Sequence, residues 1–320
     1  MRTQPALFLL ALGASACGGN WSNQDLEFAN ALPVRADLES RVPGSASAGQ
    51  RLEAAGGIQR RDPLLGDDTY AKTVAASDGF NSGIDNLLAA IEAVRTIPPT
   101  SRDGDRRAWG PYPTKDQPGF EVRVVMDRLD PRDFEYRIEF HSQAGGQWFA
   151  VVVGSFLADS DAAGARKWSG ALTLLARQAR DHGLPTPNIE AMDTLDIAYS
   201  TAGDPVYVAM DTVLMPGQVA NRASVKSWRA SDGGGQLTFS LVDVMTLPDL
   251  AGPHTVTVTS RWNASADGFS ETKVAAGTNS GATLTDCWNR DGIFWSSKSW
   301  TAAPVEPQPP ECVALMNRPY

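Results

Sequence analysis

Residues 120–141, "FEVRVVMDRLDPRDFEYRIEFH", decide the fold class of this protein. Two runs in this stretch alternate between apolar and charged side chains with the two-residue period of a β-strand. The apolar faces consist of Phe120, Val122, Val124 and Met126 in the first run and Phe134, Tyr136, Ile138 and Phe140 in the second. The link "DRLDPRD" supplies turn residues. The stretch therefore predicts an antiparallel hairpin.

Seven further strand candidates follow the same logic, separated by short turns rich in Gly, Asp and Pro. They are "GQWFAVVVGSFLA" (146–158), "TLDIAYST" (194–201), "PVYVAMDTVLM" (205–215), "ASVKSWRA" (223–230), "GQLTFSLVDVM" (235–245), "HTVTVTSRW" (254–262) and "FSETKVAAG" (269–277). Short connections predict antiparallel pairing in chain order. We therefore expect a meander of about nine strands, curved strongly into a bent sheet or open half-barrel.

Residues 78–97 show the clearest helical pattern. Apolar residues recur there at spacings of three and four, at Phe80, Ile84, Leu87, Ile91 and Val94, with Leu88 beside them. Ser77 or Asp78 is suited to cap the start, and Pro98 and Pro99 end the helix. A second, short helix is expected within "LTLLARQARDHGLP" (172–185), which ends at Gly183. The predicted fold is mainly β with helices (α+β), with the 78–97 amphipathic helix packed on the sheet.

The first 16 residues have the features of an export signal. Arg2 gives a positive start, residues 5–13 are apolar, and Ala14-Ser15-Ala16 forms a small-residue cleavage site. The apolar run is shorter than the ~20 residues of a membrane-spanning helix. We therefore predict a signal peptide over residues 1–16.

Cys17 follows the predicted cleavage site and is the predicted point of lipid attachment. Small residues immediately before a cysteine resemble the lipobox of bacterial lipoproteins, although Ala14 stands where that motif usually has leucine. Lipidation accounts for a cysteine followed by the sequence Gly18-Gly19-Asn20, and more than one acyl chain makes attachment stable. The alternative is ordinary secretion, which would leave an N-terminal thiol.

The chain has three cysteines, and an odd number in an exported protein suggests that one has a separate role. If Cys17 is lipidated, Cys287 and Cys312 remain as a pair. A disulfide between them is compatible with an oxidising compartment. The alternative for this pair is metal or redox chemistry, which the absence of a C-x-x-C spacing disfavours.

Charge and composition narrow the possible partners. The 320-residue chain is 42% hydrophobic and has a net charge of −9. Removal of the signal takes away Arg2, so the mature chain has 27 basic and 37 acidic residues and a net charge of −10. This balance disfavours nucleic acid as a partner. The predicted organisation is a tether with short helical pieces such as "QDLEFANAL" (24–32) over residues 17–68, and a helix-plus-sheet domain over 69–320.

A search for chemistry finds no catalytic motif and no metal or cofactor site. Glu135 and Glu139 share a strand face but are about 13 Å apart, and Arg137 between them indicates charge pairing on a solvated surface. His141, His182 and His254 are scattered, and no partner follows any of them at i+3 or i+4. The sequence therefore predicts that the protein is not an enzyme.

Several features together resemble the uncharacterised β-rich lipoproteins of Gram-negative bacteria. They are a cleavable signal ending at Cys17, the "DLEFANALPVR" opening (25–35), a helix that ends in Pro-Pro, a meander and a late cysteine pair beginning "DCW" (286–288). The resemblance implies an envelope lipoprotein, anchored in the outer membrane, and gives no established activity. The absence of catalytic motifs favours a binding or structural role, with a protein partner. By analogy of architecture alone, a curved sheet covered by a helix also resembles periplasmic lipoprotein carriers, and strands such as "QWFAVVVGSF" (147–156), which is apolar on both faces, suggest a hydrophobic ligand between helix and sheet. A hydrolase with dispersed catalytic residues is the third hypothesis.

Overall fold

The computed structural model describes residues 21–44, 69–115, 117–158, 168–185, 191–215, 222–247, 250–277, 279–289, 292–300 and 307–318. For residues 86, 87, 89, 90, 222, 243–246 and 253 it describes the backbone alone. Cys17 and the predicted signal peptide lie outside the described residues, as does most of the predicted tether.

Fourteen antiparallel strands form one sheet that is not closed, and each strand lies beside its neighbours in the chain. The strands are β1 (Ser101–Asp103), β2 (Arg106–Pro113), β3 (Phe120–Asp130), β4 (Asp133–Ser142), β5 (Phe149–Ala158), β6 (Trp168–Leu174), β7 (Met192–Ser200), β8 (Val206–Leu214), β9 (Arg222–Arg229), β10 (Gly235–Thr246), β11 (Pro253–Trp262), β12 (Gly268–Val274), β13 (Thr283–Asn289) and β14 (Gly292–Lys298). The predicted antiparallel meander is confirmed.

The predicted number of strands, about nine, is too low. All nine candidates are strands, but β1, β2, β6, β13 and β14 were not expected. β2 carries the sequence Gly110-Pro111, which is typical of a turn, and its register with β3 shifts between Trp109 and Tyr112. β13 (TLTDCWN) and β14 (GIFWSSK) lack the regular alternation of apolar and polar residues on which the other strands were predicted. Pairing with neighbours, rather than local pattern, makes these segments strands.

Five helices accompany the sheet in the described part of the chain: α1 (Asn23–Ala31), α2 (Arg35–Leu38), α3 (Thr69–Val94), α4 (Ala176–Asp181) and α5 (Pro310–Met316). The predicted single long helix is α3, but it begins nine residues before residue 78 and ends three residues before residue 97. Ser77 and Asp78 therefore lie inside the helix and do not cap it. The apolar face is confirmed at Phe80, Ile84, Leu88, Ile91 and Val94, all of which are buried.

α4 is shorter than the predicted helix because Leu172 belongs to β6. Its end is as expected. Gly183 has φ +72°, and the N–H of Leu184 donates to the carbonyl oxygen of Ala179 at 3.0 Å. A left-handed glycine of this kind is a common helix terminator.

The chain divides into two compact units. Unit 1 comprises Met1–Leu38, Gly83–Ala202 and Thr212–Pro216, and unit 2 comprises Glu39–Ser82, Gly203–Asp211 and Gly217–Tyr320. In unit 1 the predicted hairpin is β3 and β4, in which Val124 pairs with Ile138. Phe28 of α1 contacts Phe134 edge-on at 5.2 Å, and Phe134 stacks on Phe156 at 4.9 Å. These rings form part of the core of unit 1.

The core of unit 2 consists of Val42, Leu237, Phe239, Leu247, Val256, Val258, Trp262, Val274, Leu284 and Trp288. Tyr70 and Val74, from the first half of α3, pack against it. The N-terminal half of α3 therefore covers the sheet of unit 2, as the sequence predicts for the helix as a whole.

Glycines directly opposite large aromatic residues are a repeated feature of the sheet. Gly235 pairs with Trp262, and Gly268 pairs with Trp288. In unit 1, Tyr136 pairs with Gly154 and Gly170 with Tyr199. In each pair, a β-carbon on the glycine would overlap the aromatic side chain. The missing side chain thus makes room for a ring that lies across the neighbouring strand.

Candidate functional site

The first described helix, α1, is fixed at its start by a reciprocal cap. The N–H of Asp25 donates to Ser22 Oγ at 3.1 Å, and the N–H of Ser22 donates to Asp25 Oδ2 at 2.9 Å. This capping box satisfies two backbone donors that helix formation leaves unpaired. The start of α1 is therefore fixed at Ser22, five residues after Cys17.

Asp25 also joins α1 to the sheet of unit 1 through two arginines. Arg107 of β2 donates from Nε to Asp25 Oδ1 at 2.7 Å, and Arg102 of β1 donates from Nε to Oδ2 at 2.9 Å. Asp25 is fully buried and the Arg107 side chain is 3% exposed. Arg107 further donates to the carbonyl oxygen of Gly104 at 2.8 Å and lies 4.8 Å from the centroid of the Phe28 ring. The Asp25 carboxylate and the Arg107 guanidinium are therefore both paired and hydrogen-bonded inside the protein.

The pKa of Asp25 reflects this environment. Burial by itself would raise the pKa, because it disfavours the charged form. The hydrogen bonds from the Ser22 backbone, Arg107 and Arg102 outweigh burial and hold the pKa of Asp25 well below its ordinary value. Asp25 is therefore ionised at neutral pH and acts as a structural anion. It is not a proton donor or acceptor.

Next to α1, an open groove of about 430 Å³ is lined by Asp103, Asp105, Arg106, Asp127, Arg128, Leu129 and Glu135. Most of its charges are paired: Arg106 lies 2.6 Å from Asp127, and Arg128 lies 2.6 Å from Asp105. Arg128 also bridges to Glu27 of α1 at 3.0 Å. The groove is polar and its lining is acidic, with four carboxylates and two arginines, and ion pairs engage Asp105 and Asp127.

Glu135 and Glu139, considered as a catalytic pair from the sequence, lie on the charged face of β4. Glu139 accepts from Arg123 Nε at 2.7 Å and lies 3.4 Å from Arg137 Nε. Arg123 also lies 4.2 Å from the centroid of the Trp148 ring. Glu139 therefore belongs to a surface network of ion pairs, as the position of Arg137 between the glutamates indicates.

The structure does not bring the three histidines together. His141 lies on β4 beside Trp148, at 5.2 Å between ring centroids. His182 follows α4 and stacks on Phe149 at 4.1 Å. His254 is buried at the start of β11. Among the described residues, no three His, Cys, Asp or Glu side chains are grouped so that they could hold a metal ion.

A row of buried hydroxyl groups in unit 2 is a convergent polar cluster that the sequence patterns did not predict. Ser260, Ser270 and Asp286 are direct neighbours across β11, β12 and β13. Thr73 Oγ1 lies 2.6 Å from Ser260 Oγ, which lies 2.7 Å from Ser270 Oγ. We call Thr69, Thr73, Ser260, Ser270 and Asp286 the hydroxyl seam.

Two further side-chain hydrogen bonds complete the hydroxyl seam. Thr69 donates to Asp286, and Trp288 Nε1 donates to Ser270 Oγ at 2.9 Å. All of these groups are at most 1% exposed. A hydrolase needs a nucleophile that its substrate can reach, so this grouping of serines and an aspartate fits a structural role. The spacing of Thr69, Thr73 and Ser77 by four residues was the available signal, because it places hydroxyl side chains on one helical face.

The seam also bears on where a hydrophobic ligand could lie. Direct hydrogen bonds join α3 to β11 and β13, so at these positions no acyl chain separates the helix from the sheet of unit 2. The other basis for a carrier was β5, which is apolar on both faces. α4 packs on β5, and Val151 and Val152 are both buried. Protein side chains therefore account for the apolar character of β5.

Cys287 and Cys312 are brought to disulfide distance, with their α-carbons 5.8 Å apart. Cys287 lies on β13 and Cys312 lies on α5, and both are fully buried. Phe269 and Leu315 pack around them. The geometry of the backbone is within the range of a disulfide.

No protein-family model, curated protein or solved structure matches this chain. In the part of the chain that the structure describes, no helix is long and apolar enough to cross a membrane.

Proposed function

We propose that this protein is a lipoprotein of the Gram-negative cell envelope, attached to the outer membrane through diacylglycerol on Cys17, with a binding or structural role and no enzymatic activity. The observation that carries the proposal is the sequence Ala14-Ser15-Ala16-Cys17, in which small residues immediately precede a cysteine. The capping box at Ser22 and the buried Asp25–Arg107 pair fix α1 to unit 1, so residues 18–21 alone lie between the proposed anchor and a fixed part of the chain.

The cysteine pair gives independent support for an exported protein. A disulfide between Cys287 and Cys312 is part of the proposal, and such bonds persist in oxidising compartments. Pairing of these two leaves Cys17 as the third cysteine, available for lipidation.

Expression of the full chain in a Gram-negative host tests the anchor. The protein with its natural sequence should enter the detergent phase of a detergent phase separation. Mass spectrometry of its N-terminal peptide should show acyl chains on residue 17. The C17S variant should enter the aqueous phase. The matched control is the C287S/C312S double variant, which should still enter the detergent phase because its anchor is intact. Recovery of the unmodified sequence in water with a bare Cys17 thiol would overturn the proposal.

The carrier hypothesis is a separate proposal with a weaker basis. α4 packs on β5, and the hydroxyl seam joins α3 directly to the sheet of unit 2, so protein groups occupy both surfaces on which a ligand was expected. Organic extraction of protein purified from its host, followed by mass spectrometry, would test it. A stoichiometric lipid beyond the covalent anchor would revive this hypothesis, and its absence would leave the binding or structural role.

A further inference from the structure

The start of α1, which follows Cys17 by a few residues, lies at a corner of the sheet of unit 1. Asp25 contacts Arg102 of β1, which is an edge strand, and Glu27 contacts Arg128 near the end of β3. We define the α1 corner as Ser22–Glu27, Ser101–Arg106 and Arg128–Asp133. It contains the start of α1, the β1–β2 hairpin and the turn between β3 and β4.

The number of residues between Cys17 and α1 limits how far this corner can be from the membrane. Ser22 is five residues after Cys17 in the chain, and a fully extended chain spans at most about 3.6 Å per residue. The Ser22 Cα is therefore within about 18 Å of the lipidated residue. α1 adds no flexible length to this distance, because its capping box and the buried Asp25–Arg107 pair fix it to unit 1.

Exposed leucines mark the same region. Six large apolar side chains are exposed among the described residues, and three of them lie in or beside the α1 corner. Leu26 is 45% exposed on α1, and Leu129 is 57% exposed beside the β3–β4 turn. Leu157 is 52% exposed at the end of β5, where the N–H of Ala158 donates to the carbonyl oxygen of Arg132 at 2.9 Å. Each leucine would gain free energy by leaving water for the membrane interface.

The charges of the corner permit such an approach. The mature chain as a whole is acidic, and the three segments of the corner carry six carboxylates and four arginines. Asp25, Glu27 and Asp105 are each paired with an arginine, and this local pairing reduces the repulsion that their carboxylates would experience near anionic lipids.

From these observations we propose that the α1 corner is the membrane-facing surface of unit 1, with Leu129 and Leu157 in contact with the lipid interface. The proposal rests on lipidation of Cys17 and goes beyond it, because the anchor alone does not say which surface faces the bilayer. The partner is the same membrane that holds the acyl chains.

Site-specific fluorescence on the lipidated protein tests this orientation. Lipidation and the cysteine pair leave no other thiol in the proposed protein, so L129C and L157C can each be labelled with an environment-sensitive dye. The matched control is Q143C, an exposed position in the turn between β4 and β5 at the opposite end of the same strands. That turn is about 30 Å from the β3–β4 turn along β3, given ~3.3 Å per residue.

The three labelled proteins would be reconstituted into phosphatidylethanolamine–phosphatidylglycerol vesicles that contain nitroxide-labelled lipid. We expect quenching at positions 129 and 157 to be several-fold stronger than at 143. Equal quenching at all three positions, or stronger quenching at 143, would overturn the orientation while leaving the lipid anchor intact. Mass spectrometry of the same samples separates the two proposals, because an unmodified Cys17 would overturn both.

Discussion

At the scale of single residues, Asp25 is the side chain on which the position of α1 depends. It caps its own helix through Ser22 and accepts from Arg107 and Arg102, all within unit 1. A buried ion pair of this kind contributes little net stability compared with a well-packed apolar pair, but removal of one partner leaves the other charge without compensation.

The D25N variant should therefore be less stable by about 3–5 kcal/mol, measured by urea denaturation at neutral pH. The matched control is D105N, which removes a carboxylate that is 66% exposed and also paired with an arginine. We expect a change below about 1 kcal/mol for that exposed pair. Equal effects of the two substitutions would show that burial of Asp25 has no energetic consequence.

The same residue predicts a dependence on pH. Because the pKa of Asp25 is lower in the folded protein than in the unfolded chain, its contribution is fully present above the unfolded value of about 3.9. It is lost as the pH falls below that value toward the folded pKa. The stability difference between the natural sequence and D25N should thus narrow when urea denaturation is repeated below pH ~3.9.

At the scale of elements, the packing of strands depends on glycine where a ring crosses the neighbouring strand. Gly268 pairs with Trp288, whose ring occupies the space of a β-carbon and whose Nε1 donates to Ser270. Any side chain at residue 268 must displace this ring and disturb the hydroxyl seam.

The G268A variant should lose roughly 1–3 kcal/mol of stability, because overpacking a well-filled core forces side chains or strands to shift. G79A is the matched control, because Gly79 lies inside α3 and a β-carbon added there would meet no atom within 4 Å. Alanine at residue 79 should stabilise the helix by about 0.5–1 kcal/mol. Thermal denaturation of the two variants should give shifts of opposite sign, and a stabilising G268A would contradict the packing argument.

At the scale of the whole molecule, the cysteine pair joins the C-terminal helix α5 to β13 in unit 2. On the chain-entropy model, closure of a loop with a sequence separation of 25 residues contributes about 3.5 kcal/mol. The C287S/C312S variant should lose about this amount in urea denaturation under oxidising conditions. The natural sequence treated with reductant should behave like the variant, and insensitivity to reductant would mean that the bond does not form.

Sequence patterns predicted the meander because alternation and short turns are local properties. The hairpin of β3 and β4 and the apolar face of α3 could be predicted residue by residue, since period two and period 3.6 each place one set of side chains on one side. The first half of α3 escaped prediction because its buried side includes Thr69, Thr73 and Ser77, which are polar. Partners from β11 and β13 make burial of Thr69 and Thr73 favourable.

The sequence by itself determined the class of fold. It also predicts a disulfide between Cys287 and Cys312 and a lipid anchor at Cys17. Tertiary structure decided the number of strands, the partners of Asp25 and the burial of the hydroxyl seam. The physical reason is distance along the chain: Asp25 meets Arg107 across 82 residues, and Thr69 meets Asp286 across 217. Contacts between residues so far apart produce no periodic pattern in a local stretch of sequence. A half-buried strand, in contrast, produces a two-residue alternation that can be recognised locally.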